Sequence, residues 1–178
     1  SELGMINTPY FSAGYYYNYL LQTETFPTTW TRKGGVPTVV ANNAIAPTMI
    51  AAAETIAGGT SSDGGIGQYV TSAVKGTWTF SVWLKSTTTP ANTEIYLKIM
   101  AVNTNATTTI ATSTVLINPN WTRYSVTMSD SSTHTRKWVE INNGTNQIVA
   151  WGAQLEPLPT PSVYSGALTT TAVTSLTG

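Results

Sequence analysis

The stretch Trp78-Thr79-Phe80-Ser81-Val82-Trp83-Leu84-Lys85 decides the fold. Its apolar residues recur at every second position. Trp78, Phe80, Val82 and Leu84 fall on one face, and Thr79, Ser81, Trp83 and Lys85 on the other. A period of two marks a strand with one face buried. The same alternation returns downstream. Ile95 to Met100 separates Ile95, Leu97 and Ile99 from Tyr96, Lys98 and Met100. Trp121 to Met128 sets Tyr124, Val126 and Met128 against Arg123 and Ser125. Thr112 to Ile117 reads as a strand closed by the turn Asn118-Pro119-Asn120, and Lys137 to Asn142 as another. Asn143-Gly144 carries a hairpin signal into the last long strand, Gln147 to Glu156, which Pro157, Pro159 and Pro161 end. With Val36 to Val40 and Gly67 to Val74, about eight or nine strands are expected, with turns every ~8–15 residues. The expected architecture is all-β: a two-sheet antiparallel β-sandwich with jelly-roll topology. Met49 to Ala57 (MIAAAETIA) is the one helix-compatible segment.

Composition agrees with that class. The chain has 178 residues, the size of one domain, and no cysteine, which excludes disulfide scaffolds, thiolate metal sites and thiol catalysis. Eight Lys and Arg balance eight Asp and Glu, and charged residues make up only 9%. So few cations cannot assemble a nucleic-acid surface. No long apolar run or leader-like N-terminus suggests a membrane or secretory segment, so a soluble, non-membrane domain is expected. In place of charge stand 34 Thr, 15 Ser and 12 Asn, the residues of pleated surfaces and turns. Three units are expected: an N-terminal arm over 1–18, a jelly roll over 19–164, and a Thr-rich strap or edge strand over 165–178. Tyr15, Tyr16 and Tyr17 are costly to leave in water, which makes them candidate assembly residues of the arm.

Titratable chemistry is sparse. The single histidine, His134, lies in a polar run and is expected to be an exposed loop residue. No nucleophile elbow, metalloprotease helix motif or phosphate loop occurs. Glu140 and Glu156, on strands expected to be adjacent, are the nearest approach to a carboxylate pair and are read as surface ion-pair partners of Arg123 or Lys137. An enzyme is not expected, nor a cofactor. Asp63 and Glu24 are the conceivable ligands of a structural calcium ion, without the D-x-D run that would support one. Three N-x-[ST] matches, at Asn105, Asn120 and Asn143, are expected by chance in so Asn- and Thr-rich a chain.

Aromatics are the richer signal, with six Trp and nine Tyr. Trp78 and Trp151 are read as core. Trp83 alternates with Thr79, Ser81 and Lys85, and Tyr96 with Lys98, so both point away from the core. Trp83, Tyr96, Lys98 and Arg123, if brought together, form a face of rings and cations suited to stacking on sugars and donating to their hydroxyls. The alternative is that the terminal arm or another subunit covers this face.

Five segments in series resemble the jelly-roll, carbohydrate-binding-like modules of tailed-bacteriophage tail, fibre and virion surface proteins. They are Tyr19 to Phe26 with Trp30, Ala46-Pro47 with Ala53 to Ile56, Trp78 to Lys85, Trp121 to Thr127, and Trp151-Gly152-Ala153-Gln154-Leu155-Glu156 with Tyr164. The second departs from the family pattern by lacking its usual glycine. The resemblance implies a non-catalytic module on a virion surface, decorating a capsid or forming part of a tail or fibre. It implies partners among other virion proteins and its own copies, a trimer favoured, with adhesion to glycans. The alternative is a carbohydrate-binding module of a bacterial polysaccharide-degrading enzyme. The resemblance carries over no ligand.

Overall fold

The computed structural model describes residues 15–16, 18–20, 23–27, 29–36, 38–49, 52–72, 74–87, 93–103, 106–130, 134–165 and 176–177. Among these, ten strands form two five-stranded antiparallel sheets. Sheet A runs in the order β9 (Thr122–Asp130), β6 (Gly76–Ser86), β11 (Ile148–Glu156), β4 (Ala52–Ile56), β3 (Val39–Ile45). Sheet B runs β2 (Thr31–Lys33), β5 (Gly65–Thr71), β10 (Arg136–Asn142), β7 (Thr93–Asn103), β8 (Ala106–Ile117). The chain changes sheet repeatedly, and the two layers close face to face as a jelly-roll sandwich.

Alternation puts the expected residues inside. Trp78, Phe80, Val82 and Leu84 of β6 meet Ile95, Leu97 and Ile99 of β7 in one cluster, all fully buried. Each large side chain of this kind contributes roughly 1.5–3 kcal/mol by leaving water. Val139 and Ile141 of β10 and Ile148 and Leu155 of β11 complete the layer between the sheets. Tyr19 meets the Trp78 ring edge-on, with centroids 5.0 Å apart.

Four sequence expectations need correction. Residues Ala52–Ile56 form strand β4 rather than a helix, because β3 and β11 supply hydrogen-bonding partners on both sides. That non-local pairing overrides the helix preference of Ala and Glu. Asn143-Gly144 does not close a hairpin. Both neighbours of β10 are already taken, by β5 and β7, so the turn carries the chain across to sheet A. Glu140 and Glu156 are therefore on different sheets, and Glu140 pairs with Lys33. His134 is buried at 6% exposure, with Nδ1 2.9 Å from Asp130 Oδ1. Lys137, itself fully buried, brings its ammonium to 3.3 Å from the other Asp130 oxygen.

Of the expected arms, Tyr15–Tyr16 (β1) and Leu176–Thr177 (β12) pair antiparallel as a two-stranded ribbon. Residues 1–14, Tyr17 and the Thr-rich stretch 166–175 lie outside the described residues, as do the side chains of Tyr15 and Tyr16.

Glu54 shares a register position with the core residue Ala150 and is 1% exposed. Burial pushes its carboxyl up to about 7 from 4.5, opposed by the Phe26 backbone N–H that donates to it. A carboxyl raised in the native state favours folding fully below about pH 4.5, and this contribution is lost as the pH rises through about 7. Glu54→Gln mimics the neutral acid. It is expected to be near neutral at about pH 5 and stabilising by on the order of 2 kcal/mol at about pH 8. Urea midpoints at the two pH values check this.

Candidate functional site

Strand β11 shapes the site through a bulge. Its apolar residues face inward at Ile148 and Ala150, then at Ala153 and Leu155, so the phase shifts by one residue. The shift falls between Trp151 and Gln154, where pairing with β6 is interrupted. Gly152 takes φ +69, a conformation natural to glycine. The freed N–H groups of Gly152 and Ala153 both donate to the Thr23 carbonyl at 3.1 Å. Val149 and Trp151, preceding the bulge, consequently lie on the outer face of sheet A, in a cluster with Ala46 and Ala53 that is separate from the inter-sheet core. Trp151 was expected in that core; it is buried, but on the opposite side of its sheet.

Beyond the bulge, Gln154 and Glu156 hold the segment 157–165 against the sheet. Gln154 Oε1 accepts from Ser165 N at 2.6 Å, and its Nε2 donates to Glu156 Oε2 at 2.8 Å. Glu156 accepts from the backbone N–H of Ser162 at 3.2 Å and from its hydroxyl. Asn18 Nδ2 donates to both Ala153 O and Ser165 O at 2.8 Å. The Trp-Gly-Ala-Gln-Leu-Glu run is thus a bulge followed by a clamp. The clamped segment delivers Tyr164 to the Trp151 ring, centroid to centroid 4.7 Å.

The result is a depression of about 460 Å³ on the outer face of sheet A, lined by Trp83, Trp151, Tyr164, Arg123, Val163 and Pro47-Thr48. Trp83 is the register partner of both Trp151 and Arg123. Arg123 donates from Nη1 to Ser162 O at 2.5 Å and from Nη2 to Ser81 Oγ at 3.1 Å. Its Nε–H, and the indole N–H of Trp151, are buried without an acceptor. Burial lowers the Arg123 pKa, an effect opposed by the nearby Glu156 carboxylate. Burial likewise raises the Tyr164 phenol far above its ordinary value, so it stays neutral. Its hydroxyl donates to Glu24 Oε2 and lies within hydrogen-bond distance of Thr23 Oγ1, both at 2.7 Å. The depression is therefore lined by three aromatic rings and a fixed cation, and two N–H groups of its lining residues lack acceptors.

Structure divides the four residues expected to act together. Trp83 and Arg123 meet in this depression. Tyr96 and Lys98 lie on β7 of sheet B, facing outward on the opposite side of the sandwich. The two conceivable calcium ligands also separate into organic contacts, Glu24 with Tyr164 and Asp63 with Lys33 at 3.2 Å. Among the described residues, no group of three or more acidic or histidine side chains is placed to hold a metal ion. Sequence reading missed Trp151 and Tyr164 as wall residues. For Trp151 the parity change of apolar residues across Gly152 was the available signal; Tyr164 had none.

A methyl group on Gly152 would sit 3.2 Å from Trp83 Cδ1 and 3.5 Å from Tyr164 Cε1. Gly152→Ala is therefore expected to cost about 1–3 kcal/mol through its positive φ. It should also push the Trp83 ring aside by a few tenths of an ångström, read as a fall in thermal midpoint with a change in tryptophan fluorescence.

No family model matches the chain, and no curated protein matches it. Solved structures do. A bacteriophage CBA120 structure, described as the enzymatically active domain of tailspike protein 4, superposes with TM-score 0.61 at 13% identity. The match covers 79% of this chain and 21% of that one, so this chain spans about a fifth of the tailspike chain's length. The CBM22-1 xylan-binding domain of Paenibacillus barcinonensis Xyn10C matches at TM-score 0.57 and 14% identity, covering 82% and 95%. TmCBM61 in complex with β-1,4-galactotriose matches at 0.56 and 16%, covering 79% and 99%. At such identities the likeness concerns the fold alone. That fold is the jelly-roll sandwich of carbohydrate-binding modules.

Proposed function

We propose that this chain is a non-catalytic glycan-binding module that holds its ligand in the depression on sheet A. The observation carrying it is a cluster of three rings, Trp83, Trp151 and Tyr164, lining one depression beside two buried N–H donors that lack acceptors. A pyranose presents an apolar C–H face and a rim of hydroxyls, and both halves find a complement here. The titratable groups lining the depression are Arg123 and a neutral Tyr164, neither suited to act as a general base. Two structural neighbours, a xylan-binding domain and a module in complex with galactotriose, support neutral β-linked polysaccharides as the ligand class.

The finer reading is a surface protein of a tailed-phage virion, extracellular, attached to other virion proteins and to its own copies as a homo-oligomer, a trimer favoured. It is supported by the motif series, the uncharged Thr-rich composition and a tailspike among the structural neighbours. The second reading, a module of a polysaccharide-degrading enzyme, is favoured by the nearly full coverage of two isolated modules.

Calorimetric titration with xylo- and galacto-oligosaccharides, preceded by a glycan array, tests binding. A dissociation constant of about 1 mM or tighter for at least one neutral glycan is expected. No binding across the array contradicts the proposal. Light scattering separates the two contexts: an oligomer that dissociates when residues 1–18 are removed fits the virion, and a monomer fits the enzyme-borne module.

A further inference from the structure

The outer face of sheet B carries a buried carboxylate with an unusual number of donors around it. Glu140 is fully buried, yet it accepts from Lys33 Nζ at 3.1 Å, from the indole N–H of Trp138 at 3.0 Å, and from Asn142 Nδ2 at 3.1 Å. Lys98 Nζ lies 3.9 Å from its second oxygen. Burial alone would lower the Lys33 pKa, but Glu140 and Asp63 more than offset this and raise it, so the lysine stays charged. A carboxylate can only accept, so the Asn142 amide must turn its NH₂ toward Glu140. Its oxygen then faces away, and that oxygen is buried with no partner. Asn143 repeats the pattern: its NH₂ donates to Ala57 O at 3.0 Å and Asn146 O at 2.6 Å, leaving its side-chain oxygen buried without a donor.

Asn142 lines a hollow of about 450 Å³ together with Tyr96, Lys98, Thr112, Ser62 and Asp63. A smaller hollow of about 170 Å³ adjoins it, walled by both Asn142 and Asn143 and sharing Tyr96 and Ser62. The larger volume falls in the range of ligand clefts, ~300–1,000 Å³. The Tyr96 ring is half-buried and its hydroxyl is tethered to Glu94 at 3.3 Å. Charges of both signs surround Asn142, with Lys33 and Lys98 facing Glu140 and Asp63, and Glu94 in the wall of the smaller hollow. The lysines disfavour a cation as the donor that Asn142 lacks, and the carboxylates disfavour an anion. What remains is a neutral ligand bearing O–H donors and acceptors side by side.

We propose that this hollow is a second saccharide site, on the face opposite the depression and independent of it. Tyr96 supplies the ring against which a pyranose stacks. Asn142 Oδ1 accepts from one sugar hydroxyl, and Lys98 donates to a neighbouring oxygen. The site shares with the proposed function only the premise that the ligand is a sugar. Two faces on opposite sides of one sandwich allow a single protomer to bridge two polysaccharide chains, with a gain in avidity where those chains are held in one network.

The test is a nuclear magnetic resonance titration following the Asn142 side-chain amide and the Tyr96 ring. The probes are methyl glycosides of xylose, galactose, glucose and mannose with their β-linked oligomers, and calcium chloride as a separate arm. Protein samples are wild type, Trp83→Ala, which cripples the depression, and Tyr96→Ala, which removes an outward-facing ring. The expected result is saturable movement of the Asn142 amide in wild type and in Trp83→Ala, with at least a tenfold weaker response in Tyr96→Ala. Movement confined to Trp83 and Trp151, or movement of Asn142 with calcium alone, overturns the second site and leaves the depression standing. Movement of Asn142 without Trp83 and Trp151 supports the second site and overturns the depression. No response to any sugar overturns both.

Discussion

Replacing Trp83 by alanine is expected to weaken glycan binding roughly 30-fold or more while leaving the sandwich folded. The ring is half-buried on the outer face, between Trp151 and Arg123 in register, and contributes nothing to the layer between the sheets. Its loss removes a stacking surface, for which about 2 kcal/mol or more is a usual cost at a binding hot spot. Trp151→Phe is the companion. It keeps most of the buried ring but deletes the N–H that has no internal acceptor. If that donor is held for a ligand, affinity should fall about tenfold, the worth of one hydrogen bond, with little change in stability. Calorimetry for binding and urea denaturation for stability separate the two effects. Unchanged affinity in both variants would place the ligand elsewhere.

The second large effect is expected at Glu140. Alanine there leaves Lys33, Lys98, the Trp138 indole and the Asn142 amide around an empty acceptor position. The cost is expected to be about 2–4 kcal/mol, because the Trp138 and Asn142 donors lose a buried acceptor, whereas Lys33 keeps Asp63 and both lysines reach water. For a chain of this length the thermal midpoint should drop by roughly 10 °C. Glu140→Gln should lose less, since its carbonyl can still accept from Trp138 or Lys33. A drop of under about 1 kcal/mol for Glu140→Ala would mean that water replaces the carboxylate and that the network holds nothing together.

The sandwich was legible wherever a strand is uninterrupted. Trp78 to Leu84 alternates without a break, and every inward residue is fully buried. Three features were hidden for physical reasons. Ala52–Ile56 has helix-favouring composition and becomes a strand only because β3 and β11 flank it, a fact of tertiary pairing. The Asn143-Gly144 turn has hairpin chemistry, yet where the chain goes after a turn depends on which sheet edges are vacant. The bulge at Gly152 shifts the phase of β11, so a tryptophan counted inward by continuity lies outward.

The candidate site was half legible for a related reason. A period of two tells inward from outward but not which of two sheets a strand joins. Trp83, Tyr96, Lys98 and Arg123 all point outward, as their alternation implies. Strands β6 and β9 fall in sheet A, however, and β7 falls in sheet B. One expected face thus became two, each with its own unpartnered polar atoms. Tyr164 was beyond reach because its position depends on the clamp made by Gln154 and Glu156, which hydrogen bonds reveal and spacing does not.

The six tryptophans give six indole N–H resonances, which makes the central claim directly observable. Titrating the isotope-labelled protein with the tightest-binding oligosaccharide should move the Trp151 signal first and farthest, downfield as its N–H gains an acceptor, with Trp83 moving alongside. Trp78, sealed between the sheets, should stay fixed. A ligand that binds while the Trp151 and Trp83 indoles remain unmoved would contradict the assignment of the depression on sheet A as the glycan site.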